Sequence, residues 1–144
     1  MANEEMFRRW NEQFAAGWVR MQPRLDAQIA PLAEPLLDEV EKGETVLDVG
    51  CGCAQTTLAL AERVDPEGHV TGIDVARPML EQAEERARKR GTRNVDFVAA
   101  DAQTHPLPEN TVDRAYFALS PAAPTASVSE TPPPAQARRL ARCP

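Results

Sequence analysis

The chain has 144 residues, 42% hydrophobic and 26% charged, the size and composition of one globular domain. Its 16 Lys and Arg against 22 Asp and Glu leave a formal net charge of −6, which argues against a nucleic-acid partner, because phosphates must be met by a basic face. No apolar run is long enough to cross a bilayer, and the start lacks a basic-then-apolar leader, so no membrane association is expected and the cytoplasm is the default compartment.

In chain order, Met6, Phe7, Trp10, Phe14, Trp18 and Met21 recur at spacings of three and four, which predicts an amphipathic helix over residues 3–22. Leu25, Ile29, Leu32, Leu36 and Val40 repeat the pattern. Pro31 and Pro35 predict two short helical pieces with a kink between them, stopped at Gly43. Residues 1–42 are thus a helical lead-in. From Thr45 the period changes. Thr45–Val49 reads as a strand buried on both faces, Thr56–Ala61 as a helix, and Asp65–Gly68 as a turn. A second strand ends at Asp74, a helix runs from Pro78 to Arg90, a third strand from Val95 to Ala99 and a fourth over Thr111–Leu119. Such alternation predicts an α/β fold with one parallel sheet. Arg86, Arg88, Lys89 and Arg90, following Glu81, Glu84 and Glu85, read as a solvated face of paired charges. Residues 120–144 hold six of the 13 prolines and no apolar period, so a disordered Pro/Ala/Arg-rich tail is expected there.

In open α/β sheets a ligand sits beyond the carboxyl ends of the strands. Gly50 and Gly52, where the first strand turns into its helix, allow close approach to bare backbone, and the helix start offers free N–H groups to an anion. A dinucleotide fingerprint would need glycine at position 55, which is Gln55, and Asp48 would repel a pyrophosphate. Asp48 suits a ligand carrying an ammonium and a sulfonium. Cys51 and Cys53 read as small residues in a tight turn. With Cys143 the cysteines number three, and His69 and His105 have no ligand-spaced partners, so neither a disulfide framework nor a metal is expected.

The run Val46-Leu47-Asp48-Val49-Gly50-Cys51-Gly52-Cys53-Ala54 resembles the first motif of class I S-adenosylmethionine-dependent methyltransferases, with Ala54 standing at its third glycine. Gly72-Ile73-Asp74-Val75-Ala76 resembles the second motif. Val98-Ala99-Ala100-Asp101-Ala102, followed by Pro106-Leu107-Pro108, resembles the third. The likeness covers about residues 43–117 and is nearest to small-molecule enzymes of the quinone-biosynthesis type. It implies a Rossmann-like sheet of order 3-2-1-4 and a cofactor-binding half-domain over residues 43–119. It further implies S-adenosylmethionine held by Asp48, Gly50, Gly52, Asp74, Val75, Met79, Asp101 and Ala102. In the family, an acid at Asp74 grips both ribose hydroxyls, although a helix N-cap is an alternative role. Asp101 matches the acceptor of the adenine amino group and Ala102 the N–H near the ring; Asp101 also reads as a plain loop residue. Met79 packs on adenine or joins the core, and the aromatic stripe is either ordinary packing or a lid.

Methyl transfer to a small hydroxylated or ring-containing acceptor is the expected activity, with His105 a candidate base and no residue named as catalytic. The alternatives are a cofactor-binding remnant without catalysis and, more weakly, a nucleotide-dependent oxidoreductase. The family sheet has further strands, so the sheet is expected to stop incomplete after the fourth, leaving an edge for self-association. Residues from about Phe117 onward are expected to be a foreign, out-of-frame continuation.

Overall fold

The computed structural model describes residues 2–107 and 111–117. The sequence expectations for residues 118–144, including the tail and its origin, fall outside that range. Helix α1 (Ala2–Arg9) passes through a π-helical turn at Trp10–Phe14 into α2 (Ala15–Leu37). Strand β1 (Thr45–Val49), α3 (Gln55–Val64), β2 (His69–Asp74), α4 (Arg77–Arg90), β3 (Val95–Ala99) and β4 (Arg114–Phe117) follow. The four strands form one parallel sheet in the order β3-β2-β1-β4, as expected.

The kink expected within residues 25–40 is absent. Pro23, Pro31 and Pro35 all lie inside the continuous helix α2. Each proline is exposed, so no pyrrolidine ring has to be fitted into the core. The fourth strand starts at Arg114 and not at Thr111, and its expected end at Leu119 lies outside the described residues; Asp113 anchors it, exchanging two hydrogen bonds with the Thr45 backbone at 2.7 and 2.8 Å. Arg114 sits in that strand because Glu44 accepts from its Nε through both carboxylate oxygens, at 2.7 and 3.0 Å.

The core lies between the sheet and the helices. Val46, Val70, Leu60, Val64, Ala33 and Leu37 pack as one cluster joining α2 and α3 to β1 and β2. Burying each larger aliphatic side chain is worth about 1.5–3 kcal/mol. A second cluster joins α3 to α4 through Ala54, Leu58, Ala83 and Ala87. Helix α2 touches both α3 and α4, so the lead-in is part of the packed body. Among the described residues no helix is long and apolar enough to cross a membrane.

Candidate functional site

The carboxyl ends of β1, β2 and β3 open onto a cavity of about 460 Å³, closed on its far side by α2. That volume is typical of a small-ligand site. Asp48, Gly50, Gly52, Asp74, Val75, Met79, Asp101 and Ala102 all line it. The structure therefore brings together the whole set named from sequence. Among the described residues no group of His, Cys, Asp or Glu is arranged to hold a metal.

Asp48 is fully buried at the floor. Its Oδ2 accepts from the Thr57 hydroxyl at 2.7 Å, while Oδ1 has no partner among the described residues. Burial pushes its carboxyl up to about 6, the Thr57 bond opposes this, and the Asp74 charge adds to the rise. An unpaired buried acceptor is rare and costly, so this atom calls for a donor.

The turn after β1 is shaped by backbone bonds. Gly50 and Cys51 N–H donate to the Ile73 carbonyl at 2.7 and 3.1 Å, and Gly52 N–H donates to Asp74 Oδ2 at 2.8 Å. Gly52 has φ +54°, and a Cβ there would come within 3.0 Å of Met79 Cε. Ala54 is left-handed at φ 68°, which explains why a glycine suits this position in the motif. Its methyl packs with Leu58 and Ala83, not toward the cavity. Helix α3 follows at once, and the amides of its first residues have no carbonyl of their own helix to reach.

Asp74 does not cap helix α4, whose N-cap is Ala76. Its Oδ1 accepts from Ala76 N–H at 2.9 Å, so the carboxylate ties the two turns together. Burial raises its pKa, against the pull of the backbone N–H groups of Ala76, Gly52 and Val75. Asp101 Oδ1 accepts from Gln103 N–H, and its Oδ2 from the Asn3 side-chain amide at 2.8 Å. Asn11 reaches the turn after β2, donating to the Val75 carbonyl and accepting from Arg77 N–H.

The aromatic stripe divides. Trp10 and Trp18, with ring centroids 5.8 Å apart, line the cavity and pack near Cys53, Ala76 and Met79. Phe14 is 37% exposed, and neither it nor Phe7 lines the cavity. Leu25, Ile29, Leu32 and Leu36 of α2, with Tyr116 and Phe117 of β4, form an apolar wall opposite the carboxylates. His105 does not line the cavity. Burial drives the Cys51 thiol far up and the Cys53 thiol to about 11, so neither is a thiolate near neutral pH.

Sequence reading missed Thr57, Asn3, Asn11 and Arg86. Thr57 is one helical step beyond the glycine turn and carried a signal, a hydroxyl able to reach back to an acid. The asparagines carried none, since their partners lie 64 to 98 residues away. Arg88, Lys89 and Arg90 do form the expected solvated face, with Glu85 and Glu62. Arg86 departs from it and is largely covered, with an 11% exposed side chain.

Residues 46–131 match the model of a family described as a methyltransferase domain. A demethylmenaquinone methyltransferase of Anoxybacillus flavithermus is 47% identical over 74 residues, which are 51% of this chain and 31% of that protein. This chain thus matches about a third of the length of that relative. An S-adenosylmethionine-dependent methyltransferase from Aquifex aeolicus superposes with a TM-score of 0.55 at 33% identity, over 64% of this chain and 55% of that one. A Methanococcus maripaludis structure, described as a putative methyltransferase, shares the fold over 91% of this chain and 57% of its own, with a TM-score of 0.64 at 21% identity.

Proposed function

The chain belongs to the methyltransferase domain family, and from that premise we propose that it binds S-adenosylmethionine and serves methyl transfer to a small-molecule acceptor. The observation that carries this reading is the unpaired Oδ1 of buried Asp48, beside a glycine turn and the free amides of α3. A ligand with an ammonium and a carboxylate on one carbon answers both at once. A pyrophosphate would answer only the amides and would meet Asp48, Asp74 and Asp101 as repulsion, so the oxidoreductase reading gives way.

In this reading Asp48 takes the ammonium, and the amides at the start of α3 take the carboxylate. Asp74 accepts from the ribose hydroxyls through lone pairs that Gly52 and Ala76 leave free. Asp101 already receives an amide N–H from Asn3 and accepts the adenine amino group in the same way, with Ala102, Val75 and Met79 around the ring. When bound, the cofactor supplies a methyl on a cationic sulfur, which an acceptor's lone pair takes by in-line displacement, leaving a neutral thioether. The chain's own work is to orient and to exclude water. Trp10 and Trp18 shield one side, and the apolar wall of α2 and β4 faces the acceptor. His105 does not line the cavity, and no described residue is assigned as a base for the acceptor.

The lead-in, residues 1–42, then supplies the larger part of the acceptor wall; the described part of residues 43–119 supplies the cofactor grip and completes that wall with Tyr116 and Phe117. A cytoplasmic setting fits the free thiols of Cys51 and Cys53, and the net charge of −6 gives no footing for nucleic acid. Calorimetric titration with S-adenosylhomocysteine and with NADH tests the reading. Binding of the first alone is expected; binding of NADH alone, or of neither, overturns it. Turnover of labelled S-adenosylmethionine on a panel of apolar hydroxylated rings separates an active enzyme from a binding remnant.

A further inference from the structure

The basic side of α4 is not uniform. Arg88, Lys89 and Arg90 meet surface carboxylates, whereas Arg86 turns inward. Its guanidinium donates to the Cys53 carbonyl, to Asp26 Oδ2 at 2.7 Å and to Gln55 Oε1 at 3.2 Å. One cation therefore joins α4 to α2, to the last residues of the glycine turn and to the first residue of α3. Asp26 is itself only 18% exposed, and Gln22 links its carboxylate onward to Gln82 of α4.

Arginine is seldom buried this deeply unless its planar fork is matched to fixed acceptors. Here the match is to a backbone carbonyl of the ligand turn, and Arg86 is not among the cavity-lining residues. It acts from behind. A peptide carbonyl and the N–H that follows it point in opposite directions across one rigid plane. Drawing the Cys53 carbonyl back toward Arg86 keeps its negative end out of the cavity, and Ala54 N–H closes onto the Cys51 carbonyl at 2.9 Å. Gln55 and Thr56, the first residues of α3, line the cavity just beyond this turn.

We infer that Arg86, held by Asp26, is the positioning residue for the subsite that takes the carboxylate end of the ligand. This rests on the S-adenosylmethionine reading of the cavity. It also ties the acceptor wall to the cofactor turn, because Asp26 belongs to the same helix as Leu25 and Ile29.

The test compares two ligands on the full chain. S-adenosylhomocysteine carries the amino-acid end, and 5′-methylthioadenosine has the same adenosyl thioether without it. Arg86→Ala is expected to weaken S-adenosylhomocysteine at least about tenfold and 5′-methylthioadenosine less than about twofold, as loss of a charge-assisted carboxylate contact implies. Equal loss on both ligands, or no loss on either, overturns the inference. If Arg86→Ala has no cooperative melt, Asp26→Asn carries the test. It keeps the shape of the site and slackens the guanidinium; the same selective loss supports the inference and its absence overturns it. Failure of the unmodified chain to bind either ligand would instead refute the cofactor reading, a result visible before any variant is made.

Discussion

Asp48→Asn separates what the buried carboxylate costs the fold from what it gives the site. Burial pushes the folded carboxyl from 3.8 up to about 6. The native state thus holds this proton more tightly than the unfolded chain does. Stability contributed by protonation is full below about pH 4 and is lost as pH rises through about 6. The rise from 3.8 to about 6 corresponds to about 3 kcal/mol at 1.36 kcal/mol per unit. Asparagine carries no such charge. Its carbonyl still accepts from Thr57, but its N–H₂ lacks a buried partner, at a cost of about 1–3 kcal/mol that does not vary with pH. The stability of Asp48→Asn relative to the unmodified chain should therefore grow by about 3 kcal/mol between about pH 4 and about pH 7. Urea denaturation across that range measures it, and Asp74, present in both proteins, cancels to first order. A difference flat in pH would refute the argument from burial. In calorimetry the same variant should bind S-adenosylhomocysteine about ten- to a hundredfold more weakly, as expected for one lost charge-assisted bond. Unchanged affinity would detach Asp48 from the ligand.

Asp74→Ala should weaken S-adenosylhomocysteine by about tenfold to a hundredfold or more through lost ribose bonds, and equal calorimetric affinities would remove the carboxylate from the ribose. At Ala54, glycine relieves the left-handed strain but gives up a buried methyl, so Ala54→Gly should stay within about 1 kcal/mol of neutral. Ala54→Val should cost about 2–3 kcal/mol or more, because a branched side chain meets both the strain and a full core; chemical denaturation that ranks valine with glycine would refute this. Among the described residues nothing pairs with the outer edge of β4, and Phe117 there is 72% exposed. Concentration-dependent association is expected by light scattering and should fall in Phe117→Lys; a monomer at all concentrations would argue against the edge as a contact.

The β-α-β register was legible because it is written locally. The apolar run of β1, the glycine turn and the acids closing β1 and β2 each lie within a few residues of what they do. Two kinds of information were not local. Proline at 31 and 35 signals a break more strongly where its ring must be fitted into the core, and their exposure on α2 is a tertiary fact. The direction of Arg86 is likewise set by Asp26, 60 residues earlier. Asp74 lay between these cases. Its place at the end of β2 was readable, but its bond to Gly52 depends on the pairing of β1 with β2, and the alternative N-cap position falls to Ala76.

The cavity draws its two sides from separate stretches of chain. Its charged side is spread over the ends of three strands, where Asp74 and Asp101 also hold backbone N–H groups and Asp48 the Thr57 hydroxyl, so a change there disturbs the fold as well as the ligand. Its apolar side is largely one strip of a single helix, Leu25, Ile29, Leu32 and Leu36, next to Ala33 and Leu37, which face the core, and Asp26, which holds Arg86. On the proposed reading, new acceptor shapes would come from changes at these four positions of α2, provided the Asp26–Arg86 tie to the glycine turn is kept. A library confined to those four positions would explore acceptor choice with the remainder of the chain held constant.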